Sequence, residues 1–427
     1  MFKKLKAYTA EDILIFLVLI TLPLPEHWNS KALLLLLLLV LLRFYNKAEI
    51  KFPPFGWLYI ALFILSSLSF FWSVDQSETS KAIVRLFPFL LFTLAYKQIF
   101  SLKRPDKIIR NTAIVYLTYG LIWIVLAYFR YLENHNSATF FYHELTAPFK
   151  ANAIYIALIF AQVYVLLLYQ LLFLKKKNID YLLGFSLFIF QFLFSSKMIL
   201  SLTVIVSFFL FLKYWSENKA QKRLLIIGLS LSLIGISLFA FSTFTKNRFK
   251  TILNNNQIEQ VFTYTYFGPG YNWNGLTLRL FQLRCFYEIE NDPDFNSFLG
   301  TGLHASQPVL NQKYKHYDLY GNDKENEEKT GYYFYNFHNQ YAQMIVEIGF
   351  FGLVLLLLII YFFAYYPLKN KNSLLIAITL IFIMFAFTES YLLRQKGIVS
   401  FVLFPLLALH IFEPMATDKE SKDLSLH

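Results

Sequence analysis

The chain has 427 residues, of which 57% are hydrophobic and only 15% are charged. Soluble domains usually carry about 25% charged residues, so this composition excludes an ordinary soluble protein and indicates a membrane protein with many spans. The single cysteine, Cys285, excludes an internal disulfide framework and a metal site built from several cysteines.

Apolar runs along the chain predict membrane-spanning helices, because none of them alternates as the strands of a membrane barrel do. In chain order the twelve runs are 12–25, 31–45, 55–73, 82–96, 109–129, 148–174, 180–194, 198–212, 224–242, 340–366, 373–388 and 397–412. A helix needs about 20 apolar residues to cross a bilayer. We therefore predict an all-α integral membrane protein with about 12 transmembrane helices, nine within 1–242 and three within 340–412, followed by a polar tail, 413–427.

The basic residues predict the orientation of these spans. With the N-terminus in the cytoplasm, the inner segments hold 22 Lys and Arg residues and the short outer loops hold eight. Positively charged residues favour the cytoplasmic side, so we expect both termini to be cytoplasmic. Lysines precede the first run without a cleavage site after it, so that run is expected to remain as a span. The net charge of +12 is then a topology signal and does not indicate nucleic-acid binding.

One long polar segment, 243–339, separates the ninth and tenth predicted spans on the outer face. Unstructured loops of this length are uncommon and are usually functional or disordered. Aromatic residues and glycines recur along the segment, which favours a folded structure for all of it except 320–330, where we predict disorder.

Three places on the outer face carry isolated charges. Lys197 lies between two spans, where it either sets the topology as a snorkelling lysine or holds an anionic lipid head. Arg85 lies about one turn into the fourth span. Glu389, Arg394 and Lys396 form the last outer loop, in which the acid and the bases are expected to pair with each other.

The long loop contains a further candidate helix and a turn. Residues 275–290 have apolar residues at helical spacing and predict an amphipathic helix lying on the membrane. Arg279 and Arg284 would lie about 140° apart around this helix, so they should not both face one ligand. Gly300 and Gly302 then flank a tight turn, which by itself is weak evidence for nucleotide binding.

The tenth span opens with the most distinctive residues. His338 lies where the chain enters the membrane, and Glu347 follows inside the apolar run. An ionisable group inside a span is a functional candidate. The alternative is structural: His338 caps the helix or hydrogen-bonds its start, and Glu347 pairs with a neighbouring helix.

These residues resemble a known family. The pattern that resembles the O-antigen ligase and O-antigen polymerase superfamily is His338, Asn339, Tyr341, Glu347, Gly349 and Gly352. The resemblance extends to the order of Arg279, the turn at Gly300-Thr301-Gly302 and the His-Asn pair. It also includes Trp72-Ser73 followed by Arg85, and the closing TES…RQKG segment.

This sequence departs from the family pattern at two places. The family's Ser-Arg pair is Ser196-Lys197 here, which keeps the charge and loses the bidentate guanidinium. Residues 292–296 also resemble an insertion before the glycine turn.

The resemblance implies a GT-C-like fold and a glycan transfer at the periplasmic face of the bacterial inner membrane. The donor would be an undecaprenyl-pyrophosphate-linked glycan, and the acceptor a hydroxyl of another glycan, commonly the lipid A core of lipopolysaccharide. It also implies no cofactor, no metal ion and no nucleic acid, with membrane lipids as surroundings. His338 would be the general base, whereas the pyrophosphate would bind Arg279, Lys197 and Arg85. The supporting residues would be Asn339, Glu347, Gly300, Gly302 and Arg284.

Other functions stay open at this stage. Within the family, polymerisation of repeat units and O-glycosylation of proteins would use the same residues as ligation. A lipid-linked glycan transporter would also fit twelve spans, but a transporter should carry charged or broken segments near the bilayer midplane. Here the candidate charges lie on the outer face.

Overall fold

The computed structural model describes residues 8–47, 52–100, 102–174, 176–217, 255–268, 271, 273–319 and 331–424. Within these ranges the chain is helical or irregular and contains no strand. The predicted ninth span, 224–242, and the predicted disordered stretch, 320–330, lie outside the described residues.

The helices are numbered here in chain order along the described ranges. They are α1 (Ala10–Thr21), α2 (Glu26–Tyr45), α3 (Gly56–Leu68), α4 (Gln76–Arg85), α5 (Phe87–Leu94), α6 (Tyr96–Ile99), α7 (Pro105–Asn134), α8 (Tyr142–Thr146), α9 (Ala153–Phe173), α10 (Asn178–Leu193), α11 (Lys197–Glu217), α12 (Asn255–Thr263), α13 (Gly275–Glu290), α14 (Gln307–His316), α15 (Gln340–Asn370), α16 (Ser373–Ala386) and α17 (Gln395–Leu424). Among them α2, α7, α9, α11 and α15 are long and apolar enough to cross a membrane, and four shorter apolar helices accompany them.

Two predicted spans differ in detail from the helices observed. The fourth, 82–96, is divided between α4 and α5, because α4 ends at Arg85 and Pro88 lies in the first turn of α5. Proline lacks the N–H that a helix interior needs and is tolerated in a first turn. The tenth is interrupted at Gly349, whose φ of 75° and ψ of −172° are not helical.

Helix α9 occupies the centre of the bundle. It is apolar on every side, and 83% of its most apolar window is buried inside the protein. A helix without a polar face must be surrounded, and α9 contacts α7, α10, α11, α16 and α17.

The outer helices expose apolar surface instead. In α2, Leu34, Leu38 and Leu42 are each at least half exposed. Contiguous exposed apolar surface is costly in water, whereas it is favourable in lipid. The apolar helices therefore identify a membrane protein.

The described part of the long loop folds around a core of its own. That core contains Val261, Phe281, Cys285, Ile289, Leu310, Tyr314, Tyr317, Leu319, Phe337, Ala342 and Val346. Phe281, Cys285 and Ile289 follow each other at four-residue spacing, so one face of α13 packs into this core. Leu283 and Tyr287 on the same helix are exposed, and their contact with the membrane stays a prediction.

Candidate active site

The candidate residues converge on the loop that joins α16 to α17. This segment, residues 387–394, is called the closing loop below. It receives hydrogen bonds from side chains that lie far away in the sequence, on α13, before α14 and at the start of α15. The side chain of Glu389 in this loop is only 5% exposed.

Glu389 joins an arginine and a histidine. Nη2 of Arg279 donates to Oε1 of Glu389 at 2.9 Å, and Nδ1 of His338 lies 3.2 Å from Oε2. Arg279 is further fixed because its Nε donates to the carbonyl of Thr388 at 3.0 Å and its Nη1 donates to the carbonyl of Gly275 at 2.7 Å. A guanidinium has five N–H donors, so among the described residues these three bonds leave two donors of Arg279 for a ligand.

His338 is positioned just ahead of α15. Its φ of 45° is in the left-handed region, and its N–H donates to Oδ1 of Asn336 at 2.8 Å. The residue that caps α15 is Asn339, whose Oδ1 accepts from the N–H groups of Tyr341 and Ala342, both at 3.0 Å. His338 therefore does not cap the helix, and its ring turns toward Glu389.

Lys197 begins α11 beside the same loop. Its neighbour Met198 has its Sδ 2.7 Å from Oγ1 of Thr388, the residue whose carbonyl binds Arg279. The N-terminus of a helix carries a partial positive charge and attracts anions. Lys197 thus adds a positive charge at the N-terminus of α11. This end of the helix contacts Thr388, the residue before Glu389, through Met198.

Arg85 reaches the closing loop through another histidine. Its Nη1 lies 3.0 Å from Nδ1 of His304, and Nε2 of His304 lies 3.4 Å from the carbonyl of Leu392. Burial, and then the charge of Arg85, lower the pKa of His304 to about 4. Among the described residues, the hydrogen-bond partner of the Arg85 guanidinium is His304 and not Glu389.

The glycine turn holds the interruption of α15. The N–H groups of Thr301 and Gly302 donate to the carbonyls of Val346 and Glu347, both at 2.8 Å. These carbonyls would otherwise lack partners, because the helix stops at Gly349. A Cβ at Gly300 would lie 2.6 Å from the carbonyl of Glu347, and one at Gly349 would lie 2.0 Å from the carbonyl of Phe298. The turn therefore holds α15 at its interruption through backbone hydrogen bonds, and residues 300–302 with 346–349 are called the backbone clamp below.

Glu347 belongs to this clamp and not to the pair around Glu389. Its Oε1 accepts from Oγ of Ser306 at 3.0 Å and from Nε2 of Gln343 at 2.6 Å, and its side chain is buried. One partner, Gln343, lies on α15 itself and the other, Ser306, precedes α14; a functional role for Glu347 stays a prediction.

Arg284 also lies elsewhere. Its Nη1 donates to the carbonyls of Val261 and Tyr264 at 2.6 and 2.8 Å, and its Nε donates to Glu288 at 3.0 Å. It therefore ties α12 to α13 inside the loop. The predicted angular separation from Arg279 agrees with these different partners.

Sequence reasoning missed the role of Glu389. We expected this acid to pair with Arg394 and Lys396, and that expectation is wrong: Glu389 binds Arg279 and His338, while Lys396 donates to the carbonyls of Leu22 and Leu24. The only sequence signal for this role was an acid on the same face as a histidine and an arginine that needed a counter-charge.

Comparison with protein families gives a match. Residues 181–357 match the family model described as O-antigen ligase, and this range contains Lys197, Arg279 and His338. A search of curated proteins gives no match. The match supports a membrane glycosyltransferase of the ligase or polymerase type, with a role in lipopolysaccharide. Over residues 181–357 the chain is therefore similar to the O-antigen ligase superfamily.

Proposed function

We propose that the protein is an O-antigen ligase that transfers a glycan from undecaprenyl pyrophosphate to an acceptor hydroxyl, such as one of the lipid A core. The reaction would take place at the periplasmic face of the bacterial inner membrane, with both termini of the chain in the cytoplasm. One observation carries the proposal: Glu389 contacts both a histidine suited to proton transfer and an arginine suited to phosphate binding.

The histidine is arranged as a general base. If Nδ1 of His338 carries the proton, it donates to Glu389, and Nε2 is left with a free electron pair. A carboxylate in this position fixes the tautomer and stabilises the imidazolium that forms. The side chain of His338 is 21% exposed, so an acceptor can reach it.

The leaving group is an anion and requires cations. Arg279 has two unused N–H donors, and Lys197 stands at the positive end of α11. Arg85 is placed with them because His304 links it to Leu392 of the closing loop. Cations aimed at the charge that develops on a leaving group stabilise the transition state.

The reaction then needs one displacement. The acceptor oxygen attacks the anomeric carbon while the bond from that carbon to the pyrophosphate oxygen breaks. The electron pair leaves with the pyrophosphate, the proton of the hydroxyl passes to Nε2 of His338, and the anomeric centre is inverted. A general base contributes about 10²–10⁴-fold to such a step. The cations neutralise the leaving group, so the scheme calls for neither a general acid nor a metal ion.

The test uses cells that lack the protein and are complemented with wild type, His338→Ala or His316→Ala. His316 is an exposed histidine of the same loop at the end of α14 and serves as the matched control. We expect His338→Ala to reduce transfer by about 10²–10⁴-fold, with His316→Ala close to wild type. The measurement is the polysaccharide carried by lipid A, together with polymer that remains on the lipid carrier.

The lipopolysaccharide profile also separates the alternatives. Loss of long polysaccharide from lipid A while lipid-linked polymer accumulates supports a ligase. A ladder that collapses to one repeat unit identifies a polymerase, and an unchanged profile directs attention to protein glycans and then to transport. Full transfer by a normally folded His338→Ala protein contradicts the role of His338 as the base.

A further inference from the structure

A cavity lies beside the closing loop. Its volume is about 710 Å³, and its walls come from the start of α2, the segment that leads into α9, and the start of α17. Tyr155 lines it and donates its hydroxyl proton to the carbonyl of Ser390 at 3.3 Å. Ser390 follows Glu389 directly, so one wall of the cavity touches the loop that holds the candidate active site.

Three cations from different elements line this cavity, namely Lys150, Arg394 and Lys396, against the single carboxylate of Glu26. Lys150 and Arg394 are exposed, and neither forms an ion pair within the ranges that the structure describes. His27 adds a further polar side chain to the wall.

Lys396 is the most informative of the three. It is only 9% exposed, and its ammonium donates to the carbonyl of Leu22 at 2.8 Å and to the carbonyl of Leu24. An ammonium has three N–H donors, so one remains for the cavity. A buried charge is costly unless it is paired, and these carbonyls supply dipoles but no negative charge. An anion in the cavity would supply it.

We propose that this cavity binds an acidic group of the glycan acceptor, a phosphate or a carboxylate. The inference rests on the proposed function, since it presumes a glycan acceptor. Arg279 and Lys197, which lie elsewhere beside the closing loop, are assigned to the donor pyrophosphate. The cations of the cavity are therefore left for the acceptor.

The distance suits an acceptor that reaches both places. Arg394 follows Glu389 by five residues, which span at most about 18 Å even when fully extended. An oligosaccharide whose acidic group rests on Arg394 and Lys396 can therefore present a hydroxyl to His338. The cavity would in this way select acidic acceptors and orient them for transfer.

The test measures binding without transfer. Purified full-length protein in detergent is titrated calorimetrically with a phosphorylated core oligosaccharide, with the same oligosaccharide after dephosphorylation, and with undecaprenyl pyrophosphate. The variants are Arg394→Gln and Lys150→Gln, which alter exposed side chains. Lys81→Gln is the matched control, because Lys81 is an exposed lysine that pairs with Glu78 on α4, outside the cavity.

We expect each cavity variant to bind the phosphorylated oligosaccharide about fivefold more weakly, as for partly exposed ion pairs. Binding of the dephosphorylated form and of undecaprenyl pyrophosphate should not change, and Lys81→Gln should match wild type. Raising the salt concentration should weaken the binding of the phosphorylated oligosaccharide to wild type more than its binding to either cavity variant.

Two outcomes overturn the inference. Equal binding of the phosphorylated oligosaccharide by wild type and both cavity variants shows that the cavity does not hold its acidic group. Weaker binding of undecaprenyl pyrophosphate alone assigns the cavity to the donor. A parallel transfer assay keeps the proposals apart: binding that depends on Arg394 without any glycan transfer by wild type contradicts the proposed function and leaves the cavity assignment intact.

Discussion

Charged side chains are arranged differently at the two ends of the helix bundle. At one end, Arg110 and Asp180 are 6% and 0% exposed, and the guanidinium binds both carboxylate oxygens, with Nη2 2.8 Å from Oδ2. Helix α7 is 30 residues long, and near its opposite end lie Tyr155 and the closing loop to which Tyr155 donates a hydrogen bond. There Glu389 is shared by two partners, and the cavity holds three cations for one acid.

This difference distinguishes charged residues that stabilise the fold from charged residues that are available to a ligand. The Arg110–Asp180 pair is buried, and Asp180 also accepts from the N–H of Lys177 at 2.9 Å, so the pair is closed to a ligand from solvent. A carboxylate shared by a histidine and an arginine leaves Nε2 of His338 and two donors of Arg279 available. We infer that the first arrangement holds the helices together and that the second does chemistry.

The largest effect is expected on stability at the paired end. Asp180→Ala leaves the Arg110 guanidinium buried without its carboxylate, which typically costs about 3–5 kcal/mol. The unfolding midpoint in detergent should fall accordingly, while transfer by the remaining folded protein should be unaffected. The matched control is Asp106→Ala: Asp106 lies 4.0 Å from the same Arg110 but is 36% exposed. This substitution should cost about 1 kcal/mol or less.

At Glu389 we expect a substitution to reduce the transfer rate and to leave the stability of the fold nearly unchanged. In Glu389→Gln, the amide N–H₂ can face Nδ1 of His338 and favour the tautomer in which Nε2 carries the proton, which cannot act as a base. Transfer should fall by about 10²–10⁴-fold, with little change in the unfolding midpoint. Glu288→Gln alters a carboxylate that binds Arg284 and Tyr317 within the loop, and it should leave the rate unchanged. A Glu389→Gln protein that transfers at the wild-type rate would remove the distinction between the two ends.

Local sequence signals explain which parts of this architecture were predictable. Apolar runs such as 153–173 announce helices because their side chains must be buried or face lipid. The interruption at Gly349 escaped prediction because the apolar pattern continues through it, and its cause is a loop more than forty residues earlier. The same holds for Glu389, which lies 51 residues from His338 and 110 from Arg279. Periodicity carries no information about contacts of that range.

Resemblance supplied part of what periodicity could not. It grouped Arg279 with His338 in one function, and the structure brings both to Glu389. It also grouped Arg284 with them, and that residue instead binds carbonyls within the loop. Motif order thus grouped two residues that the structure brings together, and contacts were needed to sort the residues that surround them.

The smallest effect expected is on the pH dependence of stability near Arg85. Burial, and then the nearby charge of Arg85, lower the pKa of His304 from 6.5 to about 4. The unfolded chain therefore takes up this proton near pH 6.5, whereas the folded protein takes it up only near pH 4. The stability due to neutral His304 is present above pH 6.5 and is lost as the pH falls toward 4. Between pH 7.5 and 5.5 the loss should be about 1 kcal/mol.

His304→Gln isolates this contribution, because glutamine keeps a polar side chain beside Arg85 without titrating. The variant's unfolding midpoint should change less than that of wild type between pH 7.5 and 5.5. Equal slopes for the two proteins would show that His304 is protonated with the same ease in both states. The folded protein would then not hold His304 neutral beside Arg85. The contact from Arg85 through His304 to the carbonyl of Leu392 would not depend on a neutral histidine.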